Sequence, residues 1–129
     1  MTNYVLIVDD DMDVRHLVSD VVDAMELEYK QAENGQLGLD MIKAEGKPSL
    51  IILDLMMPIM DGFTMIAKLH ANTNTRHIPV ILLSAIADNE THMRKLSPSV
   101  IGVLRKGQFS LRDLSELISS TLGIDGMSL

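Results

Sequence analysis

Short apolar runs alternate with amphipathic segments along the chain. Tyr4-Val5-Leu6-Ile7-Val8 is a β-branched-rich run that stops at Asp9. The next segment carries Val14, Leu17, Val18, Val21, Val22 and Met25 at helical spacing, with acidic residues in its first turn. Leu27 to Ala32 alternates weakly and reads as an edge strand. Asn34-Gly35 opens a helical stretch with Leu37, Leu39, Met41 and Ile42. Leu50-Ile51-Ile52-Leu53 is a second continuous run and ends at Asp54. Beyond a turn from Pro58 to Gly62, Phe63, Ile66, Ala67 and His70 again fall at helical spacing. Ile78 to Leu83 is the third run, ending at Ser84, and Asp88 to Leu96 carries the faintest of the helical patterns. Val100 to Leu104 is the fourth, ending at Arg105-Lys106. Leu111, Leu114, Leu117, Ile118 and Leu122 form a last helical stripe, with Ser110 as its N-cap.

Alternation of this kind predicts right-handed βαβ units and a parallel sheet. Strands that read as unbroken apolar runs suit a sheet covered by helices on both faces. Five strands and five helices predict an α/β fold with a five-stranded parallel sheet in the flavodoxin-like order 2-1-3-4-5. No internal repeat or linker-like stretch interrupts the pattern, so residues 1–129 are expected to form a single domain.

Composition narrows the function. Hydrophobic residues make up 47% and charged residues 22%, a globular balance. No apolar run approaches the roughly 20 residues that span a bilayer, and the first ten residues lack a signal-peptide pattern. A cytoplasmic protein without membrane contact is therefore expected. The absence of cysteine excludes disulfides, thiolate chemistry and Cys-ligated zinc. A net charge of −7 argues against direct nucleic-acid binding, and 3% aromatic content disfavours base-stacking platforms.

The polar groups that end the runs carry the chemistry. In a parallel sheet the carboxyl ends of all strands share one edge, where ligands bind. Asp9 and Asp10 follow the first run, Asp54 the second, Ser84 the third and Lys106 the fourth. One acid after a strand is most often a helix cap or solvated turn. Three acids, a hydroxyl and a lysine together are not so readily explained. Clustered carboxylates raise one another's pKa unless a cation sits among them. An all-oxygen donor set selects a hard cation, and Mg²⁺ with one or two carboxylates, waters and a phosphate oxygen matches it. The lysine and hydroxyl can contact further oxygens of a phosphoryl group.

These residues resemble a known family, the receiver domains of two-component response regulators, including the single-domain chemotaxis regulator. The likeness is carried by Val8-Asp9-Asp10-Asp11, the stretch from Asp54 to Gly62, Ser84-Ala85 and Lys106, and spans essentially the whole chain. It implies that Asp54 accepts phosphate from a phosphohistidine on a sensor histidine kinase or a histidine phosphotransfer protein. It further implies that Asp10, Asp54 and the Met56 backbone carbonyl ligate Mg²⁺, with Asp9 acting through a bound water. Ser84 would bond a phosphoryl oxygen in the active state, and Lys106 would pair with the acyl phosphate. Such a domain catalyses its own phosphorylation and dephosphorylation without independent enzyme activity.

Plainer roles are expected elsewhere. Asp11 and Asp13 read as first-turn helix acids, Met56, Met57 and Met60 as fillers of loop and core, and the four histidines as surface or half-buried side chains. Gly35 and Gly62 read as turn or helix-entry positions. Three features depart from the family: Gly107 stands where proline usually follows the lysine, often through a cis peptide. Val103 replaces an aromatic residue, and Ser97 to Val100 replaces a glycine-alanine turn. They bear on the relay to partners rather than on phosphorylation. Two rival functions remain open: a degenerate receiver acting as a non-phosphorylated interaction module, and a haloacid-dehalogenase-type phosphohydrolase. The second normally needs an Asp-x-Asp pair, whereas Asp54 is followed by Leu55-Met56. The chain ends after the last helical stripe, as a stand-alone relay or as a piece of a longer protein.

Overall fold

Successive side chains of a strand point to opposite faces of a sheet, and these strands are apolar on both. The computed structural model describes residues 3–85 and 97–124. Its strands are β1 (Val5–Val8), β2 (Tyr29–Ala32), β3 (Leu50–Asp54), β4 (Val80–Ser84) and β5 (Val100–Arg105). Its described helices are α1 (Met12–Ala24), α2 (Gly35–Glu45), α3 (Gly62–Ala71) and α4 (Leu111–Leu122). All neighbouring strands pair in parallel, in the order β2-β1-β3-β4-β5, as the alternation predicts. The helix expected over Asp88 to Leu96 lies outside the described residues.

Two apolar layers sandwich the sheet. On one face Leu6, Val8, Ile51, Leu53, Val80 and Leu82 meet Ile42 of α2 and Met65, Ile66 and Leu69 of α3. On the other, Val5, Ile7, Leu50, Ile52, Ile81 and Leu83 meet Val18, Val21 and Val22 of α1 and Leu114 and Ile118 of α4. Both faces of the three central strands are thus dry, and their polar groups are confined to the strand ends.

The helices start where side chains can satisfy their first N–H groups. Asp11 caps α1 by accepting from the amides of Asp13 and Val14, so it is the cap itself and not a first-turn acid. Asn34 caps α2, Asp61 caps α3, and Ser110 caps α4 in a reciprocal capping box with Asp113. Gly35 and Gly62 are the first residues of their helices.

Several expectations shift in detail. β2 begins at Tyr29, because Leu27 donates its amide to the Val22 carbonyl and closes the end of α1. β4 begins at Val80, because the amide of Ile78 closes a turn onto Thr75 and Pro79 has no N–H. The buried stripe of α3 is Gly62, Met65, Ile66 and Leu69, one step round from the expected Phe63, Ala67 and His70, which are exposed. Leu17 and Leu37 are likewise exposed, since α1 and α2 present narrower stripes to the sheet. Among the described residues no peptide is cis, and Gly107 has φ +79°, a value closed to proline. A proline at this position could not adopt the backbone that Gly107 has here.

Candidate functional site

Sheet register explains how distant residues meet. Val8 is level with Leu53, so Asp9 emerges beside Asp54 at the carboxyl edge. Asp54 is level with Leu83, which brings Ser84 to the same edge. The Lys106 amide donates to the Ser84 carbonyl at 2.8 Å, extending the β4–β5 ladder by one step. From there the lysine side chain reaches back over β4. Its Nζ lies 2.9 Å from Asp9 Oδ2 and 3.2 Å from Asp54 Oδ2.

Carboxylate oxygens of Asp9, Asp10 and Asp54 all fall within 4.8 Å of one another. Asp9 and Asp54 are buried, whereas Asp10 is exposed. Burial first, and the charge of Asp9 second, push the Asp54 carboxyl from 3.8 up to about 6, against the pull of Lys106 and the Met56 amide. Mutual repulsion is therefore the smaller cause, contrary to the expectation from clustering alone. Burial lowers the Lys106 ammonium, but the hydrogen bond and charge of Asp9, joined by Asp54, reverse this and leave it raised. The three carboxylates share one ammonium, which pairs with Asp9 and Asp54. That surplus of negative charge, built only from oxygens, fits a hard divalent cation such as Mg²⁺.

Ser84 is buried at the end of β4. Met56 donates its amide to Asp54 Oδ1 at 3.2 Å, and the residue lies 56% exposed in the loop after β3. Met60 does fill core space, and Met57 packs beside it. His16, His70 and His77 are exposed; His92 lies outside the described residues.

Two features left no signal in the spacing of residues. Gly62 donates its amide to the Leu55 carbonyl at 2.9 Å, drawing the start of α3 onto the backbone of Asp54. Arg15 donates from Nη1 to the Asp9 carbonyl at 2.6 Å. Between them, Met60 donates to the Pro58 carbonyl at 2.7 Å, a three-residue turn centred on Ile59. Ile59 has φ +69° and is 84% exposed. The left-handed conformation costs a β-branched residue about 1–2 kcal/mol, which the tight turn between β3 and α3 imposes.

A family model for the response regulator receiver domain matches residues 5–119. The response regulator PleD of Caulobacter vibrioides is 37% identical over 107 residues, covering 82% of this chain and 23% of that protein. The sensor histidine kinase TmoS of Ectopseudomonas mendocina is 33% identical over 120 residues, covering 93% of this chain and 12% of that one. The chain thus spans a quarter or less of these two relatives. The high-resolution structure of the chemotaxis response regulator CheY4 of Vibrio cholerae superposes with a TM-score of 0.79 at 22% identity, covering 95% of this chain and all of that one. Among the described residues no helix is long and apolar enough to cross a membrane.

Proposed function

This chain belongs to the response regulator receiver domain family of two-component systems, and we propose that it works there as a phosphoacceptor switch with Asp54 as the acceptor. The observation that carries this reading is the buried Asp54 carboxylate held 3.2 Å from Lys106 Nζ, with Asp9 and Asp10 beside it. A phosphohistidine of a sensor histidine kinase or phosphotransfer protein would be the donor, in the cytoplasm. The kinase name of one relative supports a partner of that kind. An Asp54 oxygen attacks phosphorus while the P–N bond to the donor imidazole breaks, and the leaving nitrogen keeps the electron pair and takes up a proton. A carboxyl with its pKa at about 6 is largely ionised at neutral pH, so it needs no general base.

Bound Mg²⁺ would supply charge neutralisation for the incoming phosphoryl oxygens. Asp10, Asp54 and the Met56 carbonyl would hold it, with Asp9 acting through a water. Lys106 sits where it can exchange Asp54 Oδ2 for a phosphoryl oxygen, and Ser84 would bond another in the active state. Val103 is half-buried against the α2–α3 core layer. Short and stiff at χ1, it offers less rearrangement than an aromatic ring, so the output change at β5 should be small. A surface of net charge −7 favours a protein as downstream partner over nucleic acid.

Acetyl phosphate tests the cation requirement. With millimolar Mg²⁺ the protein should gain one phosphate, read as intact mass, and EDTA should abolish that gain. Phosphorylation at an undiminished rate in EDTA would contradict the reading.

A further inference from the structure

Asp9 is held at each of its polar atoms. Its amide donates to the Ala32 carbonyl at 3.1 Å, and Oδ1 accepts from the Asp11 amide at 2.9 Å. Oδ2 faces Lys106, and the carbonyl oxygen accepts from Arg15 Nη1 at 2.6 Å. Arg15 is itself braced. Its Nε donates to Gln31 Oε1 at 3.2 Å, and Gln31 Nε2 donates to Ser19 Oγ at 2.8 Å. Ser19 Oγ in turn donates to the Arg15 carbonyl at 2.6 Å. The chain of bonds closes on Arg15 and joins α1, β2 and the end of β1, with Ser19 only 3% exposed.

We propose that Arg15 is a positioning residue for the cation site, holding the Asp9–Asp10 peptide so that Asp10 presents its carboxylate toward Asp9 and Asp54. This rests on the cation reading above and adds the residues that set the site's geometry. The Asp9 carbonyl and the Asp10 amide belong to one planar unit, so fixing that oxygen fixes the plane from which Asp10 departs. Among the described residues, the Asp10 side chain has no hydrogen bond or ion pair of its own to orient it. Its placement is therefore inherited from the backbone. A guanidinium suits the task, because its rigid fork serves the Asp9 carbonyl and Gln31 together. A lysine would reach one of them.

Charge and geometry predict opposite signs. A cation next to a Mg²⁺ site repels it, so electrostatics alone would let Arg15→Ala bind Mg²⁺ more tightly. Positioning predicts weaker binding, by about tenfold, the scale on which supporting contacts around a metal act. Calorimetric Mg²⁺ titration of the whole chain should show that loss in Arg15→Ala. Gln31→Leu, which touches no carboxylate, should lose less, and Arg15→Lys should fall between wild type and Arg15→Ala. The Mg²⁺ concentration for half-maximal phosphorylation should rise by the same factors, with the plateau rate retained. Should Arg15→Ala not fold, Gln31→Leu and Arg15→Lys carry the test. Affinities within twofold of wild type in these variants, or tighter binding in Arg15→Ala, would overturn the proposal even if thermal stability falls. A wild-type protein that binds no Mg²⁺ would overturn the cation reading and this inference together.

Discussion

Gly62→Ala is expected to cost about 3 kcal/mol of stability, the upper part of the range for overpacking, and to slow phosphorylation of Asp54 sharply. A Cβ at Gly62 would lie 2.5 Å from the Asp54 carbonyl oxygen and 2.7 Å from the Leu55 Cα. Both are backbone atoms, and neither can step aside as a side chain does. Relief requires α3 to withdraw from the end of β3, which breaks the bond from the Gly62 amide to the Leu55 carbonyl and moves the acceptor. Gly102→Ala is the internal control. Its Cβ would meet Leu117 Cδ2 at 2.6 Å, the far end of a flexible side chain, so a cheaper adjustment is open to it. Urea unfolding of both variants checks the contrast. Equal, small losses would show that the approach of α3 to β3 is not tight.

Asp54→Asn should stabilise the metal-free protein at neutral pH. Burial and Asp9 raise the Asp54 carboxyl from 3.8 to about 6, so between those values the folded chain holds this proton more tightly than the unfolded chain does. The protonated form's contribution is complete below pH about 4 and is lost as pH rises through about 6. Above that window the wild-type protein carries a buried charge that asparagine lacks. A shift of about two units corresponds to roughly 1–3 kcal/mol once the new amide's own hydrogen-bonding needs are allowed for. Thermal melts in EDTA should therefore place Asp54→Asn above wild type at pH 7.5 and level with it near pH 4. Added Mg²⁺ should raise wild type more than the variant. An Asn variant less stable at pH 7.5 would mean that Lys106 outweighs burial.

Much of this was legible in the residues because the fold puts chemistry where periodicity breaks. Each apolar run stops at or just before a polar residue of the candidate site, Asp9, Asp54, Ser84 or, beyond Arg105, Lys106, and parallel pairing carries those ends to one edge. The helix cap at Ser110 and the helix start at Asn34-Gly35 were legible for the same reason. The side of α3 that faces the sheet was not. Phe63 and Met65 are both apolar, and only the entry angle fixed by Gly62 decides which turns inward. Strand starts were blurred where Ile78 and Leu27 are apolar yet spend their amides on turns. The ring through Arg15, Gln31 and Ser19 links residues up to 16 apart. A polar residue on a strand and one on a helix leave no periodic trace of their meeting. The feature that hinted at it was a basic residue early in α1, where the dipole favours acids.

The central claim is that Asp54 is the site at which this chain takes up phosphate. Intact mass spectrometry after incubation with acetyl phosphate and Mg²⁺ tests it most directly. Wild type should gain the mass of one phosphoryl group, in a form lost on treatment with hydroxylamine, and Asp54→Asn should gain none. A single phosphate acquired equally by the Asn variant would put the acceptor elsewhere and contradict the account.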